Sequence, residues 1–174
     1  MTGDEARAVL QGMEGDKAPG VGTRIAEALA VMVDEVRPSG LIDSTSEEWH
    51  PLEHSVWRLF ARVQECLHER KDLRGKGPVL DAIADLCVDT SLGRGRQLGV
   101  LLLGERGGGG YDEVLNTLLV DPAVYGHALD ALTRSQDRSA RAEVERILES
   151  EKIGWIRRAA KKYLEPPKTP KRRS

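Results

Sequence analysis

The chain has 174 residues, enough for one domain with a sizeable core, and its 40% hydrophobic and 31% charged content exclude a disordered protein. Aromatics make up only 4%, with Phe60 the single Phe, so the core must be built from Leu, Val, Ile and Ala. The net charge of −2 hides a split: residues 150–174 hold nine Lys/Arg against Glu151 and Glu165, a balance of +7 that leaves −9 on the rest.

Taken in chain order, nearly everything reads as helix. Residues 4–13 form a weakly signalled first helix. Residues 21–36 carry Val21, Ile25, Leu29, Met32 and Val36 on one stripe at helical period, with Pro38 and Gly40 as stop signals. Residues 41–50 are a polar connection. Residues 51–71 make the longest helix, with Leu52, Val56, Leu59, Phe60, Val63 and Leu67 on one face and Pro51 in the first turn. The stretch KDLRGKG at 71–77 is a charged, Gly-bearing break and the best internal boundary. Helices are then expected at 78–88, 92–103, 111–120, 122–134, 139–150 and 153–165, with the glycine-rich GERGGGG loop at 104–110 and Asp121-Pro122 as a cap and first turn. The tail PPKTPKRRS, residues 166–174, has three prolines, four basic residues and no large apolar residue, so it cannot fold alone. No alternating strand pattern occurs.

The second half is triplicated. Apolar triplets at i, i+3, i+4 recur as Ile83/Leu86/Cys87, Leu115/Leu118/Leu119 and Val144/Ile147/Leu148, offset by 32 and then 29 residues. Each is followed by a turn and a second segment with a small residue in its middle: Gly95/Gly99/Leu103, Val124/Ala128/Leu132 and Ile156/Ala160/Leu164. Fixed-period self-similarity of this length marks stacked helix pairs, because one pair buries too little apolar surface to offset its ordering entropy. The expected fold is therefore all-α: a short α-solenoid of stacked antiparallel helix pairs over residues 78–165, with N-terminal helices of residues 1–70 packed on the stack.

Residues 124–132 (VYGHALDAL) and 156–164 (IRRAAKKYL) resemble the second helix of HEAT-type repeats, in which an apolar residue and Arg precede Ala and Leu. Arg96 and Arg157 match the family's frequent Arg. Tyr125 departs from it, as do the glycines of the first unit. The resemblance covers about residues 78–165 and implies a protein-interaction scaffold; a minority of such proteins bind nucleic acid or act as DNA glycosylases. By the same analogy the row of second helices is the inner, partner-carrying surface. On it Arg94, Arg96, Tyr125, Arg157, Arg158 and Lys161 are the candidate partner-binding residues, acting through polar and charged recognition.

Catalytic signals are weak. His50 and His54, four apart beside Glu47, Glu48 and Glu53, could share a cation, but no third or fourth ligand has zinc-like spacing, so no metal or other cofactor is expected. Acidic residues there also complement a positive helix end. No Ser lies in a Gly-x-Ser-x-Gly setting, and the Gly93–Arg96 and 107–110 glycines lack the strand and Gly-Lys-Ser/Thr of a P-loop. Cys66 and Cys87 fall on apolar helix faces and read as buried thiols rather than a disulfide, which points to a reducing, cytoplasmic setting. No apolar run approaches the roughly 20 residues of a membrane span, and MTGDEARAVL carries no secretory pattern. The clustered cations Arg157, Arg158, Lys161 and Lys162, extended by Lys168, Lys171, Arg172 and Arg173, keep open a nucleic-acid partner in place of a protein one. Trp57 is read as partly core and Trp155 as a cap on the last repeat. Trp49 either packs back on the N-terminal helices or, exposed, anchors a partner.

Overall fold

The computed structural model describes residues 1–12, 19–37, 46–68 and 70–165. Among these residues all regular structure is helical, as the sequence pattern requires. The helices are α1 (Gly3–Gly12), α2 (Val21–Val36), α3 (Pro51–His68), α4 (Pro78–Val88), α5 (Gln97–Arg106), α6 (Asp112–Thr117), α7 (Tyr125–Ser135), α8 (Arg141–Ser150) and α9 (Gly154–Leu164), with 3₁₀ segments at Lys71–Leu73, Thr90–Arg96 and Leu118–Val120. The Pro38 and Gly40 stop signals, residues 41–45 of the polar connection and the basic tail 166–174 lie outside the described residues.

Local chemistry fixes the helix starts. Thr2 and Glu5 form a reciprocal capping box on α1: the Glu5 N–H donates to Thr2 Oγ1 and the Thr2 N–H to Glu5 Oε2. At α3, His50 takes the cap position. Its Nδ1 accepts the Leu52 N–H at 3.2 Å, while Glu53 Oε2 accepts the His50 N–H at 2.9 Å. His50, one of the histidines weighed for a shared cation, thus caps α3. Asp121 does not cap a helix directly, as its pairing with Pro122 suggested. Its Oδ1 accepts the Ala123 N–H at 2.9 Å in a tight turn, and α7 begins only at Tyr125.

Two expected helices are broken. The segment anticipated as one helix over 92–103 enters through the 3₁₀ stretch Thr90–Arg96, where Gly93 sits at φ 53°, ψ −141°, outside helical space. Only glycine adopts that geometry cheaply. Likewise α6 runs for six residues before tightening into Leu118–Val120.

One continuous core runs from Ala6 to Tyr163. It crosses the 71–77 break without interruption, joining Val63 and Leu67 to Val79 and Leu80. The repeat triplets face it: Leu118 and Ile147 are only 4% and 8% exposed. Helix α2 packs on α1, α3 and α4; α5 on α3, α4 and α7; α7 on α6 and α9; and α8 on α9. Thus α3, α5, α7 and α9 follow one another side by side.

Register contacts show how these helices run. A Cβ placed on Gly95 lies 2.8 Å from Val56 Cβ, and one on Gly99 lies 2.8 Å from the Phe60 ring, so α3 and α5 run in the same direction. Gln97 Nε2 donates to Ala123 O while Gly104 abuts Ala131, so α5 and α7 do too. Gly126 meets Trp155 and Ile156, which brings the start of α7 to the start of α9. The first ends of all four helices therefore share one side of the molecule. The N-terminal α3, which had no repeat register legible in sequence, lies beside α5 in this row.

Candidate functional site

The shared end of α3, α5, α7 and α9 gathers most of the unusual side chains. Glu53 is fully buried there, one turn into α3. Both its oxygens accept from the Arg94 guanidinium, Oε1 also accepts the Arg94 N–H at 2.7 Å, and Oε2 takes the His50 N–H. Burial pushes the Glu53 carboxyl up, but these charge-assisted bonds outweigh it and hold the group below the ordinary glutamate value. Arg94 spends its other donors on Ser46 O at 2.8 Å and Glu48 O at 2.7 Å, pinning the strand of chain that leads into α3. Its guanidinium also lies 5.6 Å from the Trp49 ring centroid, and that ring contacts His54 at 5.3 Å. Trp49 is thus half-buried against a fixed polar platform.

Over this platform opens a cleft of about 720 Å³ lined by Glu48, Trp49, His54, Trp57 and Gln97. Trp57, expected to be partly core, is 40% exposed and forms its wall. Glu47 and Glu48 are exposed and make no ion pair among the described residues. Further along the same end, Trp155 is 41% exposed and packs on His127 with ring centroids 5.3 Å apart. Burial lowers the His127 pKa against the opposing pull of Asp130, so this ring stays neutral near pH 7.

The six predicted partner-binding residues divide sharply. Arg96 is 1% exposed and is no surface residue: it donates to Gly93 O and Cys87 O and pairs with Asp121 at 2.9 Å, knitting the Thr90–Arg96 segment to the turn before α7. Arg94 is consumed by Glu53. Tyr125 donates its hydroxyl to Glu151, and burial with that acceptor pushes its pKa up to about 12. Arg157 closes the end of α8 by donating to Leu148 O and Glu151 O at 2.8 and 2.7 Å. Only Arg158 and Lys161 project freely; with Lys162 they make no side-chain hydrogen bond or ion pair among the described residues. They sit on α9 away from the aromatic cleft, so the structure does not bring the six into one site.

The aromatic cleft was missed in sequence because its parts come from three separate stretches: residues 48–49, α3 and the first residue of α5. The available signal was the spacing of His50, Pro51 and Glu53, a capping pattern that hid a buried carboxylate. Cys66 and Cys87 are both buried and not joined in a disulfide. Desolvation pushes the Cys87 thiol far up, leaving it inert. No described helix is long and apolar enough to cross a membrane. Compared with known proteins, the chain matches no protein-family model, no curated protein and no solved structure.

Proposed function

We propose that this chain is a non-enzymatic binding module, a short HEAT-like α-solenoid that holds a protein partner along the α3–α5–α7–α9 row. The observation that carries the reading is the aromatic cleft. Two indoles border an open groove, one of them 40% exposed, on a base locked by the Glu53–Arg94 pair. Large, rigid aromatic side chains on a preorganised support dominate the energetics of protein interfaces. Around it His50 and Glu53 cap α3, and Gln97 donates to Ala123 O in the turn before α7. Two buried cysteines outside any disulfide suit a reducing, cytoplasmic setting. Affinity capture from native extract with the intact chain and with Trp57→Ala tests this. A specific protein retained by the first at 150 and 500 mM salt, insensitive to nuclease and lost with the second, supports it; capture indifferent to Trp57 sinks it.

A second reading rests on Arg158, Lys161 and Lys162, exposed and unpaired on one face of α9. Such a face suits nucleic acid. Binding to duplex DNA that falls steeply with salt, with a slope reduced in Arg158→Ala/Lys161→Ala, is its signature.

A further inference from the structure

The chemistry of the aromatic cleft selects a kind of ligand, and the chain's own sequence contains one. The cleft offers two indoles, a histidine ring, the Gln97 side chain and the exposed carboxylate of Glu48. Arg94 beneath it is neutralised by Glu53, while the exposed Arg58, one turn on from His54, bounds the cleft on the side away from Glu48. The floor and wall are therefore aromatic, and the edge at Glu48 is negative. Grooves of flat aromatic rings favour proline-rich segments, which pack pyrrolidine faces on the rings and lose little entropy on binding. Residues 166–174 hold Pro166, Pro167 and Pro170 among Lys168, Lys171, Arg172 and Arg173, with no acidic residue. Pro167 and Pro170 are three apart, one turn of a polyproline helix, and would share a face. The positive charges among and after these prolines match the Glu48 edge.

We propose that the Trp49–Trp57 cleft is a receptor for proline-rich basic segments and that residues 166–174 of a second copy of this chain occupy it. The inference rests on the reading of the cleft as a binding surface. Reach decides between the chain's own cleft and a neighbour's. The segment departs from the last end of α9, whereas the cleft lies between the first ends of α3 and α5, the nearer of them two helices away. One helix length of about 16 Å and two lateral steps of about 9 Å separate them by at least roughly 24 Å. Pro170, the fifth residue of the segment, reaches only about 16 Å in polyproline form. A second copy meets no such limit, so association is head-to-tail and rises with concentration.

The test is sedimentation velocity of the full chain across micromolar to millimolar concentration, paired with tryptophan fluorescence. Three chains are compared: wild type, Trp57→Ala, and Pro166→Ala/Pro167→Ala/Pro170→Ala, which keeps every charge; far-UV circular dichroism checks that each is folded. A synthetic peptide of residues 165–174 is titrated into the triple-proline variant. The expected result is concentration-dependent association of wild type, weakened at least about tenfold in both variants. Saturable peptide binding to the triple-proline variant, with a fluorescence change, completes it. Association that survives Trp57→Ala, or is equal in the triple-proline variant, overturns the proposal, since another surface or charge alone would then explain it. A wild-type chain that stays monomeric overturns it as well, whether or not the peptide binds. Partner capture that still depends on Trp57 would then keep the broader reading of the cleft while this occupant is discarded.

Discussion

The junction of α3 with α5 and the junction of α7 with α9 do the same job by different chemistry. Both bring two parallel helices into close contact. At the first, the approach is made by Gly95 and Gly99, and the space around them is filled by Phe60, Cys87 and a buried ion pair. At the second, Gly126, Ala128 and Ala160 lie in the contact, and the Tyr125–Glu151 hydrogen bond ties α7 to the turn before α9 nearer the surface. A buried ion pair is costly to desolvate and costly to break; an apolar seam fails gradually. The first junction should therefore respond far more sharply to substitution.

The largest expected effect is Glu53→Gln. It leaves the Arg94 guanidinium largely enclosed without a counter-charge, and removal of one partner of a buried pair costs about 3–5 kcal/mol. Urea unfolding measures it. Glu53→Met/Arg94→Met should recover much of that loss, because two apolar side chains of similar volume remove both desolvation penalties; a double variant no better than the single would show that the pair also fixes the backbone at Ser46 and Glu48. The pH dependence follows from the lowered Glu53 pKa. The stabilisation is complete above the unfolded-chain value of about 4.3 and is lost as pH falls through the lower folded value. Acid unfolding of wild type should thus be steeper in that window than that of Glu53→Gln.

Next in size are the glycine contacts. A Cβ on Gly95 meets the Glu53 carbonyl oxygen at 2.7 Å, which is backbone and cannot swing away, so Gly95→Ala should cost about 1–3 kcal/mol. A Cβ on Gly126 meets the tip of the Trp155 ring at 2.5 Å, a shorter distance to a half-exposed side chain that can rotate aside. Gly126→Ala should cost less than about 1 kcal/mol. If thermal unfolding ranks the two in the opposite order, clash distance rather than the freedom of the neighbour governs packing here. Tyr125→Phe, which removes only the bond to Glu151, should cost about 0.5–1.5 kcal/mol.

The same contrast explains what was legible in the sequence. Helix period marked α2, α4 and the buried faces of α6 and α8, because an apolar stripe is a local signal. The Val124/Ala128/Leu132 and Ile156/Ala160/Leu164 segments could be aligned because a small residue between two large ones suits an apolar seam. The Gly95/Gly99 segment looked like a departure from that pattern. Its glycines answer to Phe60 and Glu53, about 40 residues earlier, and nothing within the segment announces them. The six candidate surface residues were chosen by charge and helix position. Arg96 and Arg157 were spent instead on carbonyls left open at the ends of α4 and α8, a demand visible only once the helix ends are known. The aromatic cleft was illegible for the same reason: its walls meet only after α3 and α5 lie side by side.

Arg106 offers the smallest effect and the finest probe of how much the buried charges contribute. It is 4% exposed at the last turn of α5, yet among the described residues its Nε and Nη1 have no hydrogen-bond partner, and its one ion pair, to Glu105, is loose at 3.4 Å. Unlike Arg94 or Arg96, it is enclosed without being satisfied. Its favourable terms are the apolar stem and the attraction of a cation to the α5 C-terminus. Arg106→Met keeps the stem's packing and removes the unsatisfied donors, so stability should change by less than about 1 kcal/mol, with a gain the expected sign. A loss of about 2 kcal/mol or more in urea unfolding would show that the guanidinium is bound more tightly than its geometry indicates. It would place Arg106 with Arg94 and Arg96 among the cations on which the packing of α5 depends.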